Sequence, residues 1–372
     1  MLKNLKHRAA VLSLSLAAFG AFALPGAALA QMKTGKMGFI VQLTGSSATY
    51  GIGVQQAVEI AKQELKEKGV IDLTISYEDH QQMPQLAVQG FQKLADLSGV
   101  KVIMANASPI VLAIAPFAKE RQILVYNFNA VSPALRALAP WVVNGNPLAD
   151  VDGAILAKYI IDQGHKTAGV ISQNSEFGEA VSKSFNKAYE AAGGKVVAHE
   201  VSEERVFDMR TQLLKIKGAQ PQALVIFLNI PENGYTAAQA KEIGLNAQVY
   251  ANQFILSPDN YKVAGDAMNG IKGVSPKFDL QAPIAKAFAE KFQKVAGRAP
   301  QPSEGFAYDG TRLIGEAMAA VGNDPQKIRS HIMAAANWPG AVGPYKFDKD
   351  GVAELPFEYY IIKDQKPVFS DK

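Results

Sequence analysis

The sequence predicts an α/β fold: two doubly wound parallel-sheet lobes joined by a three-stranded hinge. Short apolar runs alternate with helical stretches, a pattern that buries parallel strands between helices on both faces. The alternation is interrupted once, by the turn formers Asn144-Gly145-Asn146-Pro147, and then restarts, which makes two lobes. In the last third, long helices outnumber strands, so this segment must complete sheets already begun. The chain is therefore expected to cross between lobes near 145, 275 and 354. One lobe then comprises 31–145 plus 276–354, and the other 146–275 plus 355–372.

In the first lobe, strands are expected at 37–43, 71–77, 100–104 and 123–126. A small-residue loop at 45–53 leads to a helix with Val54, Ala57, Val58, Ala61 and Leu65 on one face, at spacings of three and four. A second helix covers 84–97. A third opens at Ser108-Pro109, with serine as candidate N-cap and proline where a helix tolerates it best. In the second lobe, helices are expected at 149–161, 176–192, 208–216 and 232–243, and strands at 167–172, 195–201, 223–228 and 248–251. The last third adds helices at 283–295, 303–320 and 325–333, with extended pieces at 273–278, 343–347 and 356–362.

Residues 1–30 read as a secretory signal peptide cleaved near Ala30, which implies a periplasmic product. Lys3, Lys6, His7 and Arg8 precede an apolar run, and Ala28-Leu29-Ala30 fits a small-x-small cleavage site. No cysteine follows, so a lipid anchor is excluded. The leader holds three of the 38 Lys and Arg and none of the 34 Asp and Glu, leaving a mature chain with one net positive charge. That balance argues for neither nucleic acid nor a membrane surface as partner.

The four histidines after the leader are isolated, and no nucleophile-base pair, GxSxG elbow or phosphate loop is present, so no enzyme, metal or cofactor is implied. Gly51-Ile52-Gly53 begins like a dinucleotide fingerprint, but Gln56 stands at the third glycine position. Polar, small or aromatic residues instead recur after the strands. In a doubly wound sheet they share one end, where ligands bind. The turn Asn106-Ala107-Ser108 places a hydroxyl and unpaired N–H groups at a helix start, which favours an anion. Ser108 is read as the hydroxyl that holds a ligand carboxylate. On the turn alone, a plain cap is the simpler reading.

The order and spacing of these pieces resemble the periplasmic branched-chain amino-acid binding proteins, the type I solute-binding components of ABC transporters. The likeness spans the mature chain: Leu43-Thr44-Gly45 with Tyr50-Gly51, Ala107-Ser108, Asn129 to Pro133, Ser175 to Gly178, Phe306 to Gly310, and Gly343 to Gly351. It implies two lobes closing on one small ligand for delivery to a permease, by a monomer. By the same resemblance, Ser108 binds the ligand carboxylate and the positions of Asn129 and Val131 add backbone contacts. Tyr50 lines the pocket, Phe177 closes it from the other lobe, Gln253 stands where a carboxylate usually pairs with the ligand ammonium, and Asn229 falls where an aromatic is common.

The chain departs from that pattern at the ammonium end. Gln253 is neutral, Val131 lacks a hydroxyl, Phe177 lacks a phenol and Asn229 is not aromatic. Burying an ammonium without its partner costs several kcal/mol. The ligand is therefore either a carboxylic acid without an α-amino group, aromatic or branched aliphatic, or an amino acid whose ammonium is met by Glu232 or Asp309. A ligand sensor on the same scaffold and an exported α/β enzyme remain the alternative functions.

Overall fold

The computed structural model describes residues 32–370, so the expected leader lies outside the described residues. The first sheet holds β1 (Thr34–Val41), β2 (Asp72–Asp79), β3 (Val102–Ala105), β4 (Leu124–Asn127) and β5 (Val142–Asn144). All pair in parallel, in the order β2-β1-β3-β4-β5. Helices α1 (Ala48–Glu67), α2 (Pro84–Lys93) and α3 (Ser108–Arg121) connect the first four strands. The β3 sequence Val-Ile-Met-Ala is wholly buried, as a strand covered on both faces must be.

After β5 the chain passes to α4 (Ala149–Asp162) and a second sheet. This part comprises β6 (Thr167–Gln173), α5 (Glu176–Ala191), β7 (Lys195–Ser202), α6 (Arg210–Gly218) and β8 (Ala223–Phe227). It continues with α7 (Glu232–Glu242), β9 (Gln248–Ala251), α8 (Pro258–Ala264) and β10 (Lys272–Pro276). The chain then returns with α9 (Pro283–Ala296), α10 (Pro302–Val321) and α11 (Pro325–Met333), and a small antiparallel sheet of β11 (Ala336–Gly340), β12 (Gly343–Phe347) and β13 (Ala353–Glu354). It ends in the second sheet with β14 (Phe357–Lys363) and β15 (Lys366–Ser370), giving the order β15-β14-β10-β9-β8-β6-β7. One core cluster joins Phe39, Val54 and Tyr126 of the early chain to Phe288, Tyr308, Ile314 and Val342 of the late chain.

Several elements differ from the sequence expectation. The loop expected at 45–53 is mostly helix, because α1 begins at Ala48 and buries Tyr50 and Gly51. Ser132-Pro133 opens a 3-10 turn rather than an α-helix, with the Ser132 hydroxyl accepting the Ala134 N–H at 3.2 Å. The second sheet is not wholly parallel: β14 runs antiparallel to β10 and β15 antiparallel to β14. The β14–β15 hairpin turns on Asp364 and Gln365, at φ of 49° and 57°. That left-handed pair lacks the usual Asn-Gly signal, which hides the hairpin in the sequence.

Each lobe uses the same close approach to set the helix that follows its first strand. A Cβ on Gly51 would stand 1.5 Å from the Gln42 carbonyl oxygen, and one on Gly178 would stand 2.2 Å from that of Gln173. Each glycine follows an aromatic, Tyr50 or Phe177, in the first turn of α1 or α5. Gly51→Ala is expected to destabilise the protein by about 1–3 kcal/mol through overpacking against backbone. An unchanged urea midpoint would show that α1 can move away at no cost.

Candidate functional site

A cavity with about 670 Å³ of space free of atoms, part of it open to solvent, lies beyond the carboxyl ends of both sheets. Its walls come from the turns that follow strands and from the first turns of helices. Five of the residues singled out in the sequence line it: Tyr50, Ser108, Asn129, Phe177 and Asn229. Val131 and Gln253 do not. Phe254 faces Phe177 edge-on, with ring centroids 5.3 Å apart, and Ile230 adds apolar surface.

The β3–α3 turn concentrates donors. Ser108 is the first helical residue rather than the cap; Ala107 takes the cap position at φ 66°, a conformation alanine rarely adopts. The N–H groups of Ala107 and Ser108 have no acceptor among the described residues. The Ser108 hydroxyl oxygen accepts the N–H groups of Val131 at 3.2 Å and Ser132 at 3.1 Å. Its lone pairs are thereby engaged, and its proton is left to donate. Val131 thus spends its N–H on Ser108, and its side chain lies with Phe177 and Ala149 in one core cluster.

The ammonium end also differs from expectation. Gln253 donates its Nε2–H to the cavity-lining Asn129 at Oδ1, 3.1 Å away, and does not itself line the cavity. Asn129 in turn donates to the Tyr50 hydroxyl and to Ser303 Oγ, each at 2.8 Å. Burial pushes the Tyr50 phenol up to about 12, so it stays protonated. Neither carboxylate considered for an ammonium reaches the cavity. Asp309 accepts the N–H groups of Ala341 at 2.7 Å and Val342 at 3.0 Å, and Glu232 accepts that of Arg205 at 3.2 Å. The carboxylate that lines the cavity is Glu204, exposed at its edge, with its pKa raised by partial burial.

Further contacts span the lobes. Ser47 donates to the Ile230 carbonyl at 2.6 Å, and Ser132 to Glu176 Oε1 at 2.7 Å. Sequence reasoning missed Gln42, Asn106, Glu204 and Phe254. Gln42 fell inside the strand expected at 37–43, whereas β1 ends at Val41 and leaves it in the turn beyond. Among the described residues no cluster of His, Asp and Glu is arranged to hold a metal ion, and no helix is long and apolar enough to cross a membrane.

Two doubly wound lobes with a shared donor-lined cavity define a two-lobed binding protein. A model of the family described as periplasmic binding protein matches residues 34–366, and the chain belongs to that family. It is 25% identical to the Leu/Ile/Val-binding protein homolog 1 of Brucella abortus over 332 residues, 86% of this chain and 88% of the relative. Its fold matches a leucine binding protein of Thermotoga maritima with a TM-score of 0.84 and 23% identity, over 90% of this chain and 97% of that one. It also matches an ABC transporter solute-binding protein of R. palustris in complex with benzoate, with a TM-score of 0.83 and 20% identity, over 90% and 94% of the two chains.

Behind the donor turn, His80 is fully buried, and burial pushes its pKa from 6.5 down to about 4. Between those values the unfolded chain takes up a proton that the folded protein refuses. Stability is therefore lost as pH falls through this window, by about 3 kcal/mol in all. The unfolding free energy of the wild type relative to His80→Gln is expected to fall by that amount between pH 7 and 4. A difference constant with pH would show that folding leaves the His80 pKa unshifted.

Proposed function

We propose that this chain is exported to the periplasm, loses its leader near Ala30, and acts as the monomeric solute-binding component of an ABC transporter. On this reading, lobes of 31–145 plus 276–354 and of 146–275 plus 355–372 close on one small carboxylate, and the closed form docks on a permease. The observation that carries the proposal is the donor cluster at the start of α3. Two N–H groups and the Ser108 hydroxyl proton lack protein acceptors there, at the positive end of a helix that lines the cavity. One bound carboxylate plus apolar burial is enough for micromolar affinity, about 8 kcal/mol.

The apolar walls and the engagement of Gln253 with Asn129 favour an acid without an α-amino group, aromatic or branched aliphatic. The benzoate bound by the R. palustris protein supports that choice. A second reading rests on Glu204: an amino acid entering with its ammonium toward the cavity edge would meet that carboxylate. The branched-chain ligands in the relatives' names support it.

Calorimetry with benzoate, 4-hydroxybenzoate, 4-methylpentanoate and leucine separates the two. The acids are expected to bind tighter than leucine, and Ser108→Ala to weaken the best ligand by about tenfold, the cost of one hydrogen bond to a charged group. Leucine binding tightest, with its advantage lost in Glu204→Gln, selects the second reading. Unaltered affinity in Ser108→Ala overturns the carboxylate site itself.

A further inference from the structure

Gln42 is more than nine-tenths buried, yet lines the cavity. Its Oε1 accepts Asn106 Nδ2–H at 3.1 Å. Its Nε2 has no hydrogen-bond partner among the described residues, and the residue that carries it lines the cavity. Which end of an amide faces a ligand decides whether it donates or accepts. Here the choice is dictated from outside the site.

The backbone N–H of Gln82 cannot reverse, and it donates to His80 Nδ1 at 2.9 Å. A neutral imidazole that accepts at Nδ1 carries its proton on Nε2. That nitrogen meets Asn106 Oδ1 at 3.4 Å, which makes the oxygen the acceptor and turns the Asn106 NH₂ toward Gln42. Gln42 must then accept with its oxygen and present its NH₂ to the cavity. In the register of β1 and β3, Ile40 stands beside Ala105, so the residues just beyond them, Gln42 and Ala107, are neighbours.

We propose that Gln42 is a ligand-binding residue that donates from Nε2 to the same anionic group as the α3 turn, and that His80, acting through Asn106, is its positioning residue. This deepens the carboxylate reading above and rests on it. With the Ala107 and Ser108 N–H groups and the Ser108 hydroxyl proton, Gln42 completes a cluster of donors at the α3 end of the cavity. That end is thereby suited to a group that only accepts.

The test is calorimetry at pH 7 with the tightest ligand among benzoate, 4-hydroxybenzoate, 4-methylpentanoate and leucine, with a thermal melt confirming that each variant is folded. Gln42→Met is expected to weaken binding 5- to 20-fold, and Gln42→Glu more than 100-fold, because it points a like charge at the carboxylate. His80→Leu should weaken binding about as much as Gln42→Met, and His80→Gln, which keeps a donor for Asn106, should restore it. In a Gln42→Met background His80→Leu should add little, since its effect passes through Gln42. Wild-type affinity in Gln42→Glu, or His80 and Gln42 losses that multiply, would overturn the assignment while a sensitive Ser108→Ala left the carboxylate site standing. Failure of every acid and of leucine to bind would remove both.

Discussion

The hydroxyl oxygen of Ser108 ties the site together. By accepting the N–H groups of Val131 and Ser132, it fastens the turn after β4 to the turn after β3. The first consequence is geometric: the two turns that face the cavity cannot shift independently. The second is chemical, because an oxygen already accepting twice can only give its proton away. Ala107 is held at a costly positive φ in the same turn, and the surrounding bonds must offset that cost. What emerges is a set of donors with no internal use.

Opposite this donor cluster the molecule spends its polar groups on itself. Asn129 is held by Tyr50, Ser303 and Gln253, and the last of these comes from the other sheet. Such a neutral amide bridge contributes about 1 kcal/mol per hydrogen bond, less than a charged pair would. It carries no charge that would attract or repel a ligand group. The cavity thus has a donor cluster at the α3 turn and apolar wall from Phe177, Phe254 and Ile230, with Asn229 and Glu204 beside them. An oriented acid fits that asymmetry.

Much of this was legible in the sequence, for identifiable reasons. Buried parallel strands are continuous apolar runs, so β3, β4 and β8 stand out, and helices starting at proline, such as α2, α9 and α11, declare their first residue. Ser108, Tyr50 and Phe177 were recoverable because the turn after a strand faces the ligand in this fold class. Side-chain direction was not. Gln253 and Val131 follow strands as well, but whether each faces the cavity or a neighbouring lobe depends on contacts more than 100 and more than 20 residues away, with Asn129 and Ser108. Gln42 was missed because glutamine has no motif; its role comes from a chain of partners through Asn106 and His80. The β14–β15 hairpin was hidden by a turn made from Asp364 and Gln365.

The core shared by Phe39, Val54 and Tyr126 with Phe288, Tyr308 and Val342 has a consequence for how the chain is made. Its early part, from β1, α1 and β4, lacks the partners that α9 and α10 supply until the last third of the chain has been synthesised. Contacts so distant in sequence form slowly, because the intervening loop must close first. The core around the amino-terminal strands is therefore completed only after the late helices are made. For a chain that we propose must pass through a narrow translocation channel before it folds, late completion of the first lobe is a built-in timer.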